Sequence, residues 1–162
     1  MQLDPDELIA LCREDFEQNR IEQALLKVKE ALAVAEPPAG TLALAARIYA
    51  RLHLYDRTIG YLQQSVEQEP DAIERHIELA TAYQESGAVA NALRHWEAML
   101  ERHPLMPPAL FNAALLLADQ KQLADAHRHI EVLLQTAPAD NLYVGRAQAL
   151  QQMINGVPAL QS

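Results

Sequence analysis

The sequence contains few aromatic residues, few glycines and a single cysteine. Only 5% of its 162 residues are aromatic, five are glycine, and Cys12 is the only cysteine. A lone cysteine cannot form an internal disulfide, and such a chain suits a reducing compartment. The glycines occur singly, and none of the three serines lies in a Gly-x-Ser-x-Gly setting. Neither a phosphate-binding loop nor a hydrolase nucleophile is therefore indicated.

Basic residues are also scarce. Lys and Arg number 13 against 22 Asp and Glu, which gives a net charge of −9. The basic residues form no cluster, and this argues against nucleic acid as a partner. No apolar run approaches the roughly 18 residues of a membrane helix, and the acidic N-terminus lacks the basic region of a signal peptide. We therefore expect a cytoplasmic protein with no membrane insertion.

The residues that are abundant favour helices. Half of the chain is apolar, and Ala, Leu, Gln and Glu dominate. These residue types have high helix propensity, and no run rich in Val, Ile and Thr indicates a strand. The composition predicts an all-α protein.

The stretch 71–104 has the pattern of a helix, a turn and a second helix. It opens with Asp71 and, three residues later, Glu74, which is the spacing of a capping box. Apolar residues then recur at helical spacing until Gly87, which can end a helix in the left-handed conformation. The second helix stops at Pro104, because proline lacks an N–H and clashes with the preceding turn.

The same unit recurs along the chain with a period of 34 residues. Pro70, Pro104 and Pro138 are spaced in this way, and four further sets keep step with them. These sets are Ala46, Ala80 and Ala114; Tyr49, Tyr83 and Leu117; Thr58, Ala92 and Ala126; and Leu62, Trp96 and Ile130. A regular period of this length is typical of repeat proteins, in which each helical pair needs neighbours to bury its apolar surface.

A 34-residue helical hairpin with two small positions and a closing proline resembles the tetratricopeptide repeat. Within one repeat, the family pattern is carried by Leu79, Ala80, Tyr83, Gly87, Ala92, Trp96 and Pro104. The resemblance implies an all-α, right-handed α-solenoid with a C-terminal capping helix. We predict a single domain over residues 1–162, with repeats at 5–38, 39–72, 73–106 and 107–140, a capping helix at 141–154 and a frayed tail at 155–162.

The turn inside each repeat has a glycine only once. Asn19, His53 and Lys121 stand at the phase of Gly87. Asn and His are enriched among the non-glycine residues with positive φ, so two of these turns are expected at modest strain. Lys121 is the exception, because lysine has no such preference.

The resemblance also implies that the first helix of each repeat lines a concave binding surface. Arg47 and Arg51 lie four residues apart on one such helix, and Arg13 has the matching phase one repeat earlier. The complete set of expected groove residues is Arg13, Arg47, Arg51, Ile77, Thr81, Phe111, Asn112, Leu115 and Arg146. In this set the arginines would meet acidic groups of a ligand and the apolar side chains would anchor it. The alternative is that the arginines pair with acids of the chain itself, such as Glu17, Glu78 and Glu85.

We expect a non-enzymatic protein–protein interaction module that binds a peptide or a helix and uses no cofactor. One alternative is a dedicated chaperone for a secretion or pilus-assembly client. Another is a metal- or thiol-dependent enzyme. In the stretch Asp125, His127 and His129, however, only Asp125 and His129 are four residues apart and can share a helix face, which is too few ligands for a metal site, and Cys12 has the phase of a buried packing residue. The protein is expected to be a monomer or a homodimer, since the first repeat can leave Leu3, Leu8 or Leu11 partly exposed.

Overall fold

Nine α-helices make up the regular secondary structure of residues 3–156, the part of the chain that the computed structural model describes. Their bounds are α1 Pro5–Glu17, α2 Ile21–Leu32, α3 Thr41–Arg51, α4 Tyr55–Gln68, α5 Ile73–Glu85, α6 Val89–Arg102, α7 Pro107–Asp119, α8 Leu123–Thr136 and α9 Leu142–Asn155. The all-α prediction is confirmed. Residues 157–162 of the predicted frayed tail lie outside the described residues. No helix in the described part has the length and apolar character needed to cross a bilayer.

The chain divides into two compact units, Met1–Gly87 and Ala88–Ser162. In the first unit each helix packs against the next helix along the chain, from α1 against α2 to α4 against α5. In the second unit α7 contacts α6, α8 and α9. Its core is centred on Ile130 and Leu133 of α8, neither of which is exposed. The single domain over residues 1–162 stays a prediction.

Two small positions in each repeat are fully buried. In the first helical pair, the Sγ of Cys12 donates to the carbonyl oxygen of Ala24 at 3.2 Å, which marks where α1 crosses α2. The equivalent residues of the other repeats are at most 2% exposed: Ala46, Ala80 and Ala114 at the first position, and Thr58, Ala92 and Ala126 at the second. The large position of the second helix is equally buried in Val28, Leu62, Trp96 and Ile130. The predicted repeat phase is confirmed by this pattern.

The turns inside the repeats share one backbone conformation. Asn19, His53, Gly87 and Lys121 have φ values of 59°, 56°, 83° and 64°. Their spacing is the repeat period. The left-handed conformation expected at Gly87, Asn19 and His53 is confirmed, and Lys121 adopts it as well. In the last turn, the N–H of Lys121 donates to the carbonyl of Ala118 at 3.0 Å, so the turn is closed by backbone hydrogen bonds. A side chain with a Cβ is strained in this region, and the strain is largest where the residue is neither Gly nor Asn.

Two details of the helix ends and faces differ from the sequence expectation. α5 begins at Ile73 and its N-cap is Ala72, one residue after Asp71, the residue predicted to cap it, and the methyl group of Ala72 cannot accept a hydrogen bond. In α9, which the sequence predicts as a capping helix, the first apolar residue does not face the core: Leu142 is 64% exposed, while Ala147 and Leu150 are buried. Both differences arise at helix termini, where a shift of one or two residues changes which group faces the backbone or the core.

The first repeat leaves two of the three leucines considered for exposure accessible to solvent. Leu8 is buried, with 4% of its surface exposed, whereas Leu3 and Leu11 are 45% and 39% exposed. Leu11 has the phase of Ala45, Leu79 and Ala113, which are all buried in their own repeats. On α1 the neighbouring positions carry the exposed acids Glu7 and Glu14. The outer face of α1 is therefore mainly polar, which suits contact with water.

An ion cluster replaces an aromatic ring in the first repeat. Asp15 stands at the phase of Tyr49 and Tyr83, and its side chain is only 8% exposed. Its carboxylate accepts from Arg20 Nη2 at 2.6 Å and also from Lys27 Nζ. These two hydrogen bonds, that of Lys27 first, lower the pKa of Asp15 below its ordinary value. The cluster ties the end of α1 to α2.

Replacing Lys121 with glycine should stabilise the protein, because glycine adopts positive φ without the steric cost of a Cβ. We expect Lys121→Gly to raise the free energy of unfolding by about 1 kcal/mol, measured by chemical denaturation. Lys121→Ala removes the same charge but keeps the Cβ, so it should bring no such gain. A glycine variant no more stable than the wild type would show that this turn is not strained.

The Asp15 cluster should make stability depend on pH in a defined direction. Because its pKa is lowered by folding, Asp15 contributes stability above the unfolded pKa of about 4, and the contribution is lost as the pH falls through the lower folded value. Asp15→Asn should lower the melting temperature at neutral pH, and its difference from the wild type should shrink below about pH 4. Glu17→Gln, an exposed change in the same helix, is the control. A difference that stays constant through the acid range would contradict the assignment.

Candidate protein-binding surfaces

A hollow with an apolar floor opens between α3 and α5 in the first unit. Its volume is about 190 Å³, and it is lined by Ala46, Arg47, Ala50, Thr58, Leu62, Ile77, Glu78, Thr81, Ala82 and Glu85. The space exists because α3 and α5 contribute alanines on this side, while Leu62 of α4 forms the floor. Three of the predicted groove residues, Arg47, Ile77 and Thr81, are brought together here. We call this site the α3–α5 hollow.

Two of the three charged residues that line the α3–α5 hollow, Arg47 and Glu78, are paired with each other. Glu78 Oε1 accepts from Arg47 Nε at 2.9 Å and from Arg47 Nη2 at 2.6 Å, and Glu78 Oε2 accepts from Arg75 Nη1 at 2.9 Å. The Arg47 side chain is 48% exposed, so solvent screens the pair and its net stabilisation is about 0–1 kcal/mol. For Arg47, the alternative of pairing with an acid of the chain is the arrangement found. In this arrangement the guanidinium lies at the rim, beside the apolar floor.

The other two predicted arginines have different neighbours. Arg51 donates through Nη2 to the side-chain oxygen of Asn19, and its Cζ lies 6.0 Å from the centre of the Phe16 ring. The Nη2 of Arg13 lies beside Gly40, 4.0 Å from where a Cβ on that glycine would be. Both arginines are exposed. The three guanidinium groups therefore have different neighbours within the first unit.

In the second unit, an aromatic ring joins two predicted site residues. The rings of Phe111 and Tyr143 are 5.7 Å apart, and the Cζ of Arg146 lies 5.5 Å from the centre of the Tyr143 ring. Leu115 is half-buried one turn along α7 from Phe111. Asn112 uses its side-chain nitrogen to donate to the carbonyl of Pro108 at 2.8 Å, so one of its two N–H groups is already paired within α7.

Sequence reasoning missed Arg75 and Tyr143 as parts of these surfaces. Arg75 lies three residues before Glu78, and Tyr143 lies three residues before Arg146. Residues at this spacing are neighbours on a helix surface, so both pairs could have been found once the helices were placed. The partner of Arg47 could not, because its contact joins two different helices.

The structure gives no support to metal or thiol chemistry at the residues considered for it. Among residues 3–156, no three His, Cys, Asp or Glu side chains converge as metal ligands would. Asp125 pairs with Arg128 at 2.9 Å, and burial lowers the pKa of His129. Cys12 is fully buried, and desolvation is the main cause that raises its pKa to about 11.

Neither a protein-family model nor a curated protein sequence matches the chain. Solved structures do match it. YrrB, described as a tetratricopeptide repeat protein with an unusual peptide-binding site, aligns with a TM-score of 0.76 and 16% identity, over 89% of this chain and 74% of its own. A tetratricopeptide repeat protein of Parabacteroides merdae aligns with a TM-score of 0.80 and 17% identity, over 94% of this chain and 60% of its own.

A third similar structure is PilF of Pseudomonas aeruginosa, with a TM-score of 0.73 and 16% identity over 93% of this chain and 67% of its own. These likenesses, together with the buried small positions and the left-handed turns at the 34-residue period, show that the chain has the fold of tetratricopeptide repeat proteins. At this level of identity the likeness establishes the fold and not a shared ligand.

Cys12 should behave as an inert packing residue. Because its thiol is buried and its pKa is about 11, almost no thiolate exists at pH 8, and iodoacetamide should label it only at the rate of unfolding. Mass spectrometry should show slow labelling of the native protein and rapid labelling in denaturant. Labelling of the native protein as fast as that of free cysteine would contradict the buried position.

Proposed function

We propose that the chain is a non-enzymatic protein–protein interaction module. It binds a peptide or a helix of a partner on the surfaces formed by the first helix of each repeat. The observation that carries this proposal is the α3–α5 hollow, with its apolar floor and the guanidinium of Arg47 at its rim. Pockets with an apolar lining and a few placed polar groups are the usual form of a binding site. The likeness to YrrB, a protein described as having a peptide-binding site, supports the same function.

The hollow suits one aliphatic side chain of a peptide. A volume of about 190 Å³ can accept a group the size of a leucine or isoleucine side chain, and burying it would contribute about 1.5–3 kcal/mol. A carboxylate on the peptide would compete with Glu78 for Arg47, since the existing pair is exposed and weak. We infer that the remaining predicted site residues also contact the partner, each within the compact unit to which it belongs. These residues are Arg13, Arg51, Phe111, Asn112, Leu115 and Arg146.

A dedicated chaperone is the second candidate function. One observation favours it: large apolar side chains are exposed on α9, with Leu142 at 64% and Met153 at 70%. Exposed apolar surface of this kind suits a client with an apolar segment, and methionine adapts to varied shapes. A client that requires co-expression with this chain to stay folded would distinguish the chaperone from an adaptor.

Filling the α3–α5 hollow should weaken peptide binding. Peptides would be selected from an unbiased display library on the full chain, and their affinities measured by fluorescence anisotropy. Ala50→Leu places a larger side chain in the hollow and should weaken binding by roughly tenfold or more. Ala10→Leu makes the same change at an exposed helical position of α1 and is the control. If all selected peptides bind the two variants with wild-type affinity, the hollow is not the binding site.

A second arm of the same measurement tests the role of Arg47. Glu78→Gln removes the internal competitor, so peptides with an acidic residue should bind more tightly, and a tenfold gain would correspond to about 1.4 kcal/mol. Arg47→Gln in that background should reverse the gain. Equal affinity in the wild type and both variants would restrict Arg47 to the internal ion pair.

A further inference from the structure

The second unit has an exposed apolar face along α7 and α9. We call it the α7/α9 face, and it consists of Phe111, Leu115, Leu142, Gly145, Ala149 and Met153. Leu142 and Met153 are 64% and 70% exposed, Gly145 and Ala149 are exposed, and Phe111 and Leu115 are half-buried. Contiguous exposed apolar surface on a protein marks an interaction site more often than isolated apolar residues do.

These residues lie on the same side of the unit. On α9 they are spaced three, four and four residues apart, which places them along one side of a helix. Gly145 and Ala149 follow Phe111 and Leu115 by 34 residues, so the repeat gives both pairs the same orientation. The contact between the Phe111 and Tyr143 rings, 5.7 Å apart, joins the two helices along this side.

The α7/α9 face has small residues in its middle and large apolar side chains at its ends. A Cβ added to Gly145 would meet no atom within 4 Å, and Ala149 is the next residue on the same side. Leu142 and Met153 stand at either end of this small-residue stretch. Gly60 in α4 is equally open, so an open glycine alone does not mark a site. What distinguishes Gly145 is the set of exposed apolar side chains around it.

The chemistry of the face favours a helix over an extended peptide. Backbone groups in the interior of α7 and α9 are already paired within their helices, so the face offers no backbone partners to a strand. An extended peptide would leave its own N–H and C=O groups unpaired against apolar side chains, which is costly. A helix satisfies these groups internally and can present an apolar stripe. The stretch from Leu142 to Met153 is about 16 Å long, which matches three helical turns.

The charges beside the α7/α9 face favour one orientation of a bound helix. Arg146 is exposed near the first turn of α9, and Asp119 is exposed at the end of α7, with the phase of Met153. The positive ends of both helix dipoles lie on the Arg146 side. A bound helix that runs opposite to α7 and α9 would place its negative end there and its positive end near Asp119. An acidic side chain over Arg146 would complete the charge complementarity.

We propose that the α7/α9 face binds an amphipathic helix of a partner protein, antiparallel to α7 and α9, with an acidic side chain over Arg146. This proposal rests on the function proposed above but concerns a surface separate from the α3–α5 hollow. It identifies the partner by an aliphatic stripe about three turns long with a carboxylate at one end.

The probe is a display library of helix-forming peptides of about 18 residues, selected on the full chain. Selected peptides should carry aliphatic residues at i, i+3 or i+4, and i+7, with Asp or Glu in the C-terminal part, and should gain helical circular dichroism on binding. Gly145→Leu should weaken their binding by roughly tenfold or more without lowering the melting temperature, because it replaces an open helical glycine. Gly60→Leu is the matched control and should leave binding unchanged.

The charge contact is tested with the same peptides. Arg146→Glu should weaken the acidic peptides roughly tenfold, and the loss should vanish for peptides whose acid is replaced by Gln. Selected peptides without helical periodicity, peptides that ignore Gly145→Leu, or no selected peptides at all would overturn the proposal. Binding that is lost in Ala50→Leu but kept in Gly145→Leu would overturn it and leave the function of the α3–α5 hollow in place. Dimerisation of the chain that Gly145→Leu abolishes would identify a second copy as the occupant and also overturn it.

Discussion

The close approach of paired helices is the constraint on which the rest of the structure depends. Cys12 and Ala24 show it directly, because the thiol of one helix donates to a backbone carbonyl of the other at 3.2 Å. A side chain larger than Cys or Thr at either position would force the helices apart and open the core beside them. Once the crossing is tight, the residue four positions later on the second helix fills the remaining space. Val28 and Ile130, neither of them exposed, do so in their repeats. The first helix of each repeat has an opposite side that takes no part in this packing, and a binding surface can form there.

The same constraint explains where the chain tolerates strain and charge. A tight hairpin needs a turn that reverses direction within very few residues, and positive φ achieves this at Asn19, His53 and Lys121 despite their side chains. The Asp15 cluster is a comparable local exception. A carboxylate replaces the tyrosine of the next repeats, and it is acceptable in a nearly buried position only because Arg20 and Lys27 neutralise it. In both cases the hairpin geometry is kept and the local chemistry adapts.

The buried positions could be predicted from the repeat period, whereas the helix ends and the side-chain contacts between helices could not. Buried positions such as Ala80 and Ala126 follow from phase alone, since every repeat must solve the same packing problem. The start of α5 does not, because several residues near Ala72 can begin a helix at similar cost. The composition of the α3–α5 hollow was partly predictable, because phase identifies which side chains face it. The pairing of Arg47 with Glu78 depends on rotamers and distances across two helices, which no periodicity encodes.

The net charge of −9 gives the proposed arginine contacts a particular character. At distances beyond about 10 Å, the acidic chain repels a partner that carries carboxylates, and salt screens that repulsion. At contact, Arg47 or Arg146 attracts the same carboxylates beside apolar surface, where screening is weaker. Added salt therefore acts in opposite directions on encounter and on the bound state: it relieves long-range repulsion and weakens the local ion pair. Because the two effects oppose each other, the salt dependence of affinity should be shallow even if arginines make direct contacts. Apolar burial then supplies most of the affinity, and the arginines act mainly by selecting which apolar segments are accepted and in which direction.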